Sequence, residues 1–290
     1  MNYTLAVAQI DSVLGDISKN VIKHVEYARR AKEGGAEIVV FPELSLSGYS
    51  VKDLNRDIVL RKETSALLRP LVEESHEISI LAGCVEESDD FGIYNAALLI
   101  EQGTVKTVHR KIYPPTYGMF EELRYFSPGK SVAAIQSRVG KIGVLICEDF
   151  WHLALPYVLA QDGASTIIGI SASPTRIAPQ ESGFEMGREN LEHHKAYARL
   201  LSSYIVFCNR VGYEDGVNFW GGSEVISPGG EVTIKAKLFD EDLVFAEIVE
   251  NEVRRARQSS RHFLDDDIHL VRRELRRISK EWRGLNREAE

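Results

Sequence analysis

Three residues stand where apolar runs give out, and their types form a set. The run KIGVLIC closes on Cys147, EIVVFPE delivers Glu43 just after a proline, and HRKIYPPTYG places Lys111 behind a β-like segment. A cysteine at a strand end, followed by the polar pair Glu148-Asp149, can expose its sulfur as a nucleophile while the Glu148 backbone N–H faces a developing oxyanion. A glutamate among apolar neighbours suits general-base work, because such surroundings disfavour the ionised form of a carboxyl group. Taken singly, each residue also has an ordinary reading: a small buried thiol, a solvated loop carboxylate, a surface lysine. Cys84 and Cys208, inside apolar strands, take the packing reading.

The elements that must position these residues alternate between strand and helix, the pattern of an α/β fold. Residues 3–10 predict a strand. Val21, Val25, Ala28 and Ala31 then fall at helical spacing before Gly34 and Gly35. EIVVFPE reads as a buried strand broken at Pro42, which puts Glu43 at the carboxyl end, where open α/β sheets carry their chemistry. A helix near 63–77, the strand ISILAGCV, and a hairpin of strands near 93–100 and 104–110 turning at Gln102-Gly103 follow. After Cys147 come a helix near 153–163, a strand at 165–171, a helix near 184–201, the strand YIVFCN, and the β-like segments GGSEVIS, EVTIKAK and LVFAEI. Beyond residue 250 the chain turns Arg-rich. Ile268, Val271, Leu275, Ile278 and Trp282 form one apolar stripe at helical spacing, with Asp265 to Asp267 at the helix start. No linker, low-complexity stretch or internal repeat is evident, so the expected organisation is one domain over 1–250 with a helical tail over 251–290.

Composition narrows the function. A net charge of −8 across 290 residues opposes non-specific binding to nucleic acid or anionic lipid. No segment reaches the roughly 18 apolar residues of a membrane span, and the first residues read as a strand of mature sequence, not a secretory leader. Three scattered cysteines without a C-x-x-C pair suggest neither disulfides nor zinc, and a reducing cytoplasm is expected. His193 and His194 are adjacent, so they face different directions and take exposed or packing roles. The chain carries no G-x-S-x-G elbow, no P-loop and no dinucleotide fingerprint. The arginines between Arg254 and Arg287 are interleaved with acidic residues, which favours a solvated face or a dimer contact over nucleic acid. These observations alone lead to an α/β enzyme with a candidate cysteine nucleophile.

Taken together, FPELSLSGY, HRKIYPPTYGMFEELRYFSPG and GKIGVLICEDFWH resemble the three motif segments of the nitrilase, or carbon-nitrogen hydrolase, superfamily, in the same order and at similar separations. The resemblance reaches to about residue 250 and implies a four-layer α-β-β-α sandwich that pairs through helices. It implies that Glu43 is the general base, Lys111 the stabiliser of the tetrahedral intermediate, Cys147 the nucleophile, and Glu122 a second carboxylate that positions substrate and lysine. KIYPPTYGMFEELRYF and ICEDFWH are nearer to the glutaminase domain of glutamine-dependent NAD synthetase than to typical nitrilases. In such domains the residues matching Tyr49, Tyr117 and Glu148 contact the bound glutamine. The expected activity is hydrolysis of a small carboxamide, glutamine-like by preference, without metal or cofactor, in a homodimer or higher homo-oligomer; a nitrile is the alternative substrate. No SGG-x-D-type ATP-binding loop occurs, so the chain is expected to be either a free-standing amidase or the glutaminase subunit of a separate synthetase.

Overall fold

The computed structural model describes residues 2–61, 66–175 and 185–287. Two six-stranded mixed sheets face one another. The first has the order β14-β1-β2-β3-β4-β5, built from β1 (Tyr3–Gln9), β2 (Ile38–Val40), β3 (Ser79–Glu87), β4 (Ile93–Glu101), β5 (Thr104–Arg110) and the late strand β14 (Asp242–Ile248). The second has the order β13-β12-β9-β8-β7-β6, from β6 (Ile135–Ser137), β7 (Gly140–Ile146), β8 (Thr166–Ser171), β9 (Tyr204–Asn209), β12 (Glu224–Ile226) and β13 (Val232–Lys235). A separate hairpin joins β10 (Val211–Glu214) to β11 (Val217–Trp220).

Read from β14 and from β6, the two sheets show one and the same succession of pairings: antiparallel, parallel, parallel, antiparallel, antiparallel. The sequence shows no repeat, yet the topology repeats. The middle parallel strands are β2 and β8, and the candidate residues gather at their carboxyl ends.

The layers follow from side-chain alternation, since successive residues of a strand point to opposite faces. Leu5, Val7, Ile38, Val40, Leu81 and Leu99 of the first sheet meet Val144, Ile146, Ile168, Ile170, Val206 and Cys208 of the second in one inter-sheet core. Each such aliphatic side chain, fully buried, contributes about 1.5–3 kcal/mol. On the outer face of the first sheet lie α1 (Ile17–Glu33) and α2 (Arg69–Glu74). Helix α1 starts at Asp16, whose carboxylate accepts from Lys19 N at 3.0 Å. It buries Ile17, Val21, Val25, Ala28 and Ala31 on one side and ends where the Gly34 N–H donates to Arg30 O at 3.0 Å. The outer face of the second sheet is covered by α3 (Ala154–Gln161) and α4 (Glu185–Leu201), through Leu155, Leu159, Tyr197 and Leu201. The result is the expected α-β-β-α sandwich.

Several local expectations were sharpened. The Gln102-Gly103 turn has φ of 52° and 72°, the left-handed pair that closes a two-residue hairpin. Instead of one helix near 63–77, Ala66–Leu68 forms a 3₁₀ turn and Arg69–Glu74 the helix, because Pro70 cannot continue a ladder begun upstream. Residues 63–65 of that expected helix, residue 184 of the next, the last residues of the tail and the side chain of Trp282 lie outside the described residues. The short β6 and the β10–β11 hairpin were not anticipated, although Asp215-Gly216 in RVGYEDG is a turn signal. After β14, α5 (Glu250–Ser259) adds Val253 to the inter-sheet core, whereas α6 (Ile268–Arg287) leaves Ile268, Leu275 and Ile278 exposed. No helix among the described residues is long and apolar enough to cross a membrane.

Candidate active site

Glu43 is set by the way β2 stops. The Phe41 N–H still pairs with Leu81 O at 2.8 Å, Pro42 ends the ladder, and a tight loop follows in which the Gly48 N–H reaches Leu44 O at 2.8 Å. The loop lies so close to β3 that only glycine fits opposite it. A Cβ on Gly83 would overlap Leu44 N and Pro42 O and stand 2.8 Å from the carbonyl carbon of Glu43. From the other side, buried His24 of α1 donates through Nδ1 to Asn20 O at 2.7 Å, leaving Nε2 to accept from the Ser45 hydroxyl at 2.8 Å.

Lys111 follows β5 directly. Its backbone is tied on both sides, N–H to Asn95 O at 2.9 Å and O from Gly129 N at 2.7 Å. The side chain has no exposure, and its ammonium donates to Glu43 Oε1 and Glu122 Oε1, both at 2.7 Å. Burial opposes the charged form, but Glu122 and Glu43 outweigh it and hold the lysine well above its ordinary range. Glu122 opens a 3₁₀ turn, Glu122–Arg124, and its carboxyl is pushed up by burial and by Glu43, with Lys111 acting in the opposite direction. Two buried carboxylates are thus held near one another by one cation.

Three groups that the sequence reading did not single out complete this cluster. Asn95 Nδ2 donates to Glu43 Oε1 at 2.7 Å and lies 3.4 Å from Glu122 Oε2. The Ala172 N–H, just past β8, donates to Glu43 Oε2 at 2.8 Å. The Ser171 side chain lies beside Cys147 and acts to lower its thiol pKa. A polar Asn95 amid IYNAALLI was a signal available in the sequence; a backbone N–H at Ala172 leaves none.

Cys147 follows β7 as the first residue of the 3₁₀ turn Cys147–Trp151, and its φ is 49°. A left-handed conformation at a non-glycine residue costs of order 1 kcal/mol and persists where neighbours over-determine it. Here Phe150 of the same turn lies on Gly169 of β8, where a Cβ would come 2.9 Å from Cδ2 of the ring. Burial and then Glu43 push the Cys147 thiol up, while Lys111 and Ser171 act to lower it. A resting neutral thiol beside a carboxylate that can take its proton is the outcome. Cys84 and Cys208 are fully buried in the cores.

Of the residues expected to meet substrate, Tyr49 is turned toward the cluster and donates its hydroxyl to Glu122 Oε1 at 2.7 Å. Tyr117 and Glu148 stand together. The exposed Tyr117 hydroxyl donates to Glu148 Oε2 at 2.7 Å, and His152, stacked on Tyr113 at 3.5 Å, brings Nε2 to 3.7 Å from Glu148 Oε1. His193 is exposed near Trp151, while His194 is buried and bonded to Glu224 Oε1 at 2.9 Å, so the adjacent pair does face two ways.

Comparison with known proteins agrees with this architecture. A family model described as carbon-nitrogen hydrolase matches residues 4–258. The glutamine-dependent NAD(+) synthetase of Thermotoga maritima is 33% identical over 248 residues, which is 84% of this chain but 42% of that protein. The solved structure of glutamine-dependent NAD+ synthetase from Acinetobacter baumannii in complex with ADP superposes with a TM-score of 0.77 at 30% identity, covering 87% of this chain and 47% of the other. A carbon-nitrogen hydrolase from Helicobacter pylori G27 shares the fold along nearly its full length, with a TM-score of 0.81, 23% identity, and coverage of 94% and 98%. The chain therefore spans less than half the length of the synthetase relatives it matches.

Proposed function

The chain belongs to the carbon-nitrogen hydrolase family, and from that membership we propose that it hydrolyses a small carboxamide, glutamine-like by preference, to a carboxylate and ammonia. The observation that carries this reading is Lys111 held between Glu43 and Glu122 beside the Cys147 thiol.

Glu43 takes the thiol proton as Cys147 Sγ attacks the carbonyl carbon, and the carbonyl π pair moves onto oxygen. Lys111 Nζ and the Glu148 N–H stabilise that oxyanion. The C–N bond then breaks, the leaving nitrogen takes the proton from Glu43, and ammonia departs from a thioester. Water attacks the thioester and yields its proton to Glu43. The C–S bond breaks, the thiolate is reprotonated by Glu43, and the acid is released. Glu122 keeps Lys111 in place throughout, and Glu148 with Tyr117 reads an ammonium group on the substrate.

The purified protein should release ammonia from L-glutamine or from members of a small amide panel, and Cys147→Ala should abolish release. Release undiminished in Cys147→Ala would overturn the assignment. Matched amide and nitrile substrates decide against the nitrile alternative if the amide is consumed faster.

A second reading is favoured by the chain's coverage of less than half of its synthetase relatives: an ammonia-supplying subunit of a separate synthetase. It predicts low activity alone that rises when a synthetase binds. Full activity without any partner would remove it.

A further inference from the structure

Asp149 has no role in the scheme above, yet it is fully buried and its carboxylate joins the segments that bear the two reacting groups. Its Oδ1 accepts from Tyr113 N at 2.9 Å and Ile112 N at 3.1 Å, the two residues directly after Lys111. Its Oδ2 accepts from Ile146 N at 3.2 Å, the residue directly before Cys147, and lies 3.3 Å from Ile112 N. That last set also caps the 3₁₀ turn whose first residue is Cys147 in its left-handed conformation. His109, on β5 two residues before the lysine, brings Nε2 to 3.8 Å from Oδ2, beyond hydrogen-bond distance, and is itself buried.

We propose that Asp149 is a positioning residue that fixes the distance between Lys111 and Cys147 by binding the backbone on both sides at once. The inference rests on the roles given above to Lys111 and Cys147. Physically, a buried carboxylate needs donors for its lone pairs, and here three backbone N–H groups from two separate elements supply them. Neither element can shift without leaving that charge unsatisfied, so the lysine segment and the cysteine turn move as one body. The groups facing the Cys147 sulfur include Glu43, Lys111, Glu122, the Ser171 hydroxyl and the Tyr49 and Tyr117 phenols. Lys111 is the one cation among these six, so a lysine that drifts away leaves the thiolate less favoured.

The test uses the pH dependence of iodoacetamide alkylation at Cys147, followed by mass spectrometry of its peptide in the full chain, and so needs no substrate. Asp149→Asn preserves shape but replaces one acceptor oxygen by a donor, which cannot serve both sets of N–H groups. The alkylation midpoint should rise by about one unit, the direction of a thiol losing a cation. Removal of a negative charge acting directly would move it down. A midpoint that stays or falls, in a variant whose circular dichroism is that of the wild type, overturns the proposal. Asp149→Ser, which retains one acceptor, carries the same reading where the asparagine variant does not fold. On any amide the wild type hydrolyses, kcat should fall about 100-fold with KM within about threefold. A raised midpoint in a protein that hydrolyses no amide would uphold the positioning role while removing the proposed activity.

Discussion

Lys111 and Tyr49 converge on a single atom: ammonium and phenol both donate to Glu122 Oε1, each at 2.7 Å. The phenol comes from the loop after Glu43 and the ammonium from the end of β5, so one carboxylate oxygen joins the two halves of the proposed acid-base machinery.

The relationship separates two roles for Tyr49. As a wall of the substrate pocket its loss would raise KM. As a donor that fixes Glu122, Tyr49→Phe should lower kcat by about tenfold, worth about 1.4 kcal/mol, with KM changed less than about twofold. Steady-state kinetics on one amide decides between them.

Close approach at Gly83 gives a second expectation. Gly83→Ala forces the Glu43 backbone outward, since the added carbon overlaps backbone atoms that cannot rotate aside. Activity should fall at least about tenfold, and unfolding in urea should show a loss of about 1–3 kcal/mol. Wild-type activity in Gly83→Ala would mean that the loop carrying Glu43 has freedom the packing denies it.

His24 makes stability depend on pH. Burial first, and the nearby Lys23 cation, lower its pKa from 6.5 to about 4, although the Asn20 carbonyl acts the other way. Between about pH 4 and 6.5 the unfolded chain binds a proton that the folded chain refuses, so stability falls as pH drops through that window. The full effect is roughly 3 kcal/mol. Urea midpoints for wild type and His24→Gln, measured from pH 4 to 7, should converge toward the acid end; parallel curves would show that His24 is not the titrating group.

The exposed stripe on α6 gives a prediction about assembly. We propose that Ile268, Leu275 and Ile278 pack against a second copy, and removal of residues 261–290 should turn a homo-oligomer into a monomer in sedimentation. An unchanged sedimentation coefficient per mass, or a full-length monomer, would refute this role.

The alternation of strands and helices was readable from residue types because each strand is buried on at least one face and each covering helix shows a 3.6-residue stripe. EIVVFPE and KIGVLIC announced both where the strands run and where they stop. What the residues could not reveal is convergence. Glu43 and Ala172 are far apart in the chain and meet only because the carboxyl ends of β2 and β8 face each other across the core. The hairpin β10–β11 escaped notice because its four-residue strands carry polar residues on both faces. Asp149 stood in plain view beside Glu148, but a carboxylate that binds two distant backbone N–H groups besides the nearby Ile146 N–H looks, in sequence, like any helix cap.

The repeated succession of pairings in the two sheets assigns different chemical parts to equivalent halves. The first sheet brings Glu43, the proposed base, and Lys111; the second brings the Cys147 thiol and the Ala172 N–H that donates to Glu43. Neither half holds a complete set of reacting groups, so catalytic competence is a property of the seam. A conformation in which the sheets had slipped past one another by a single residue could keep every strand and helix and still be inert. Turnover is therefore a more sensitive gauge of sheet registry in this protein than any measure of its secondary structure.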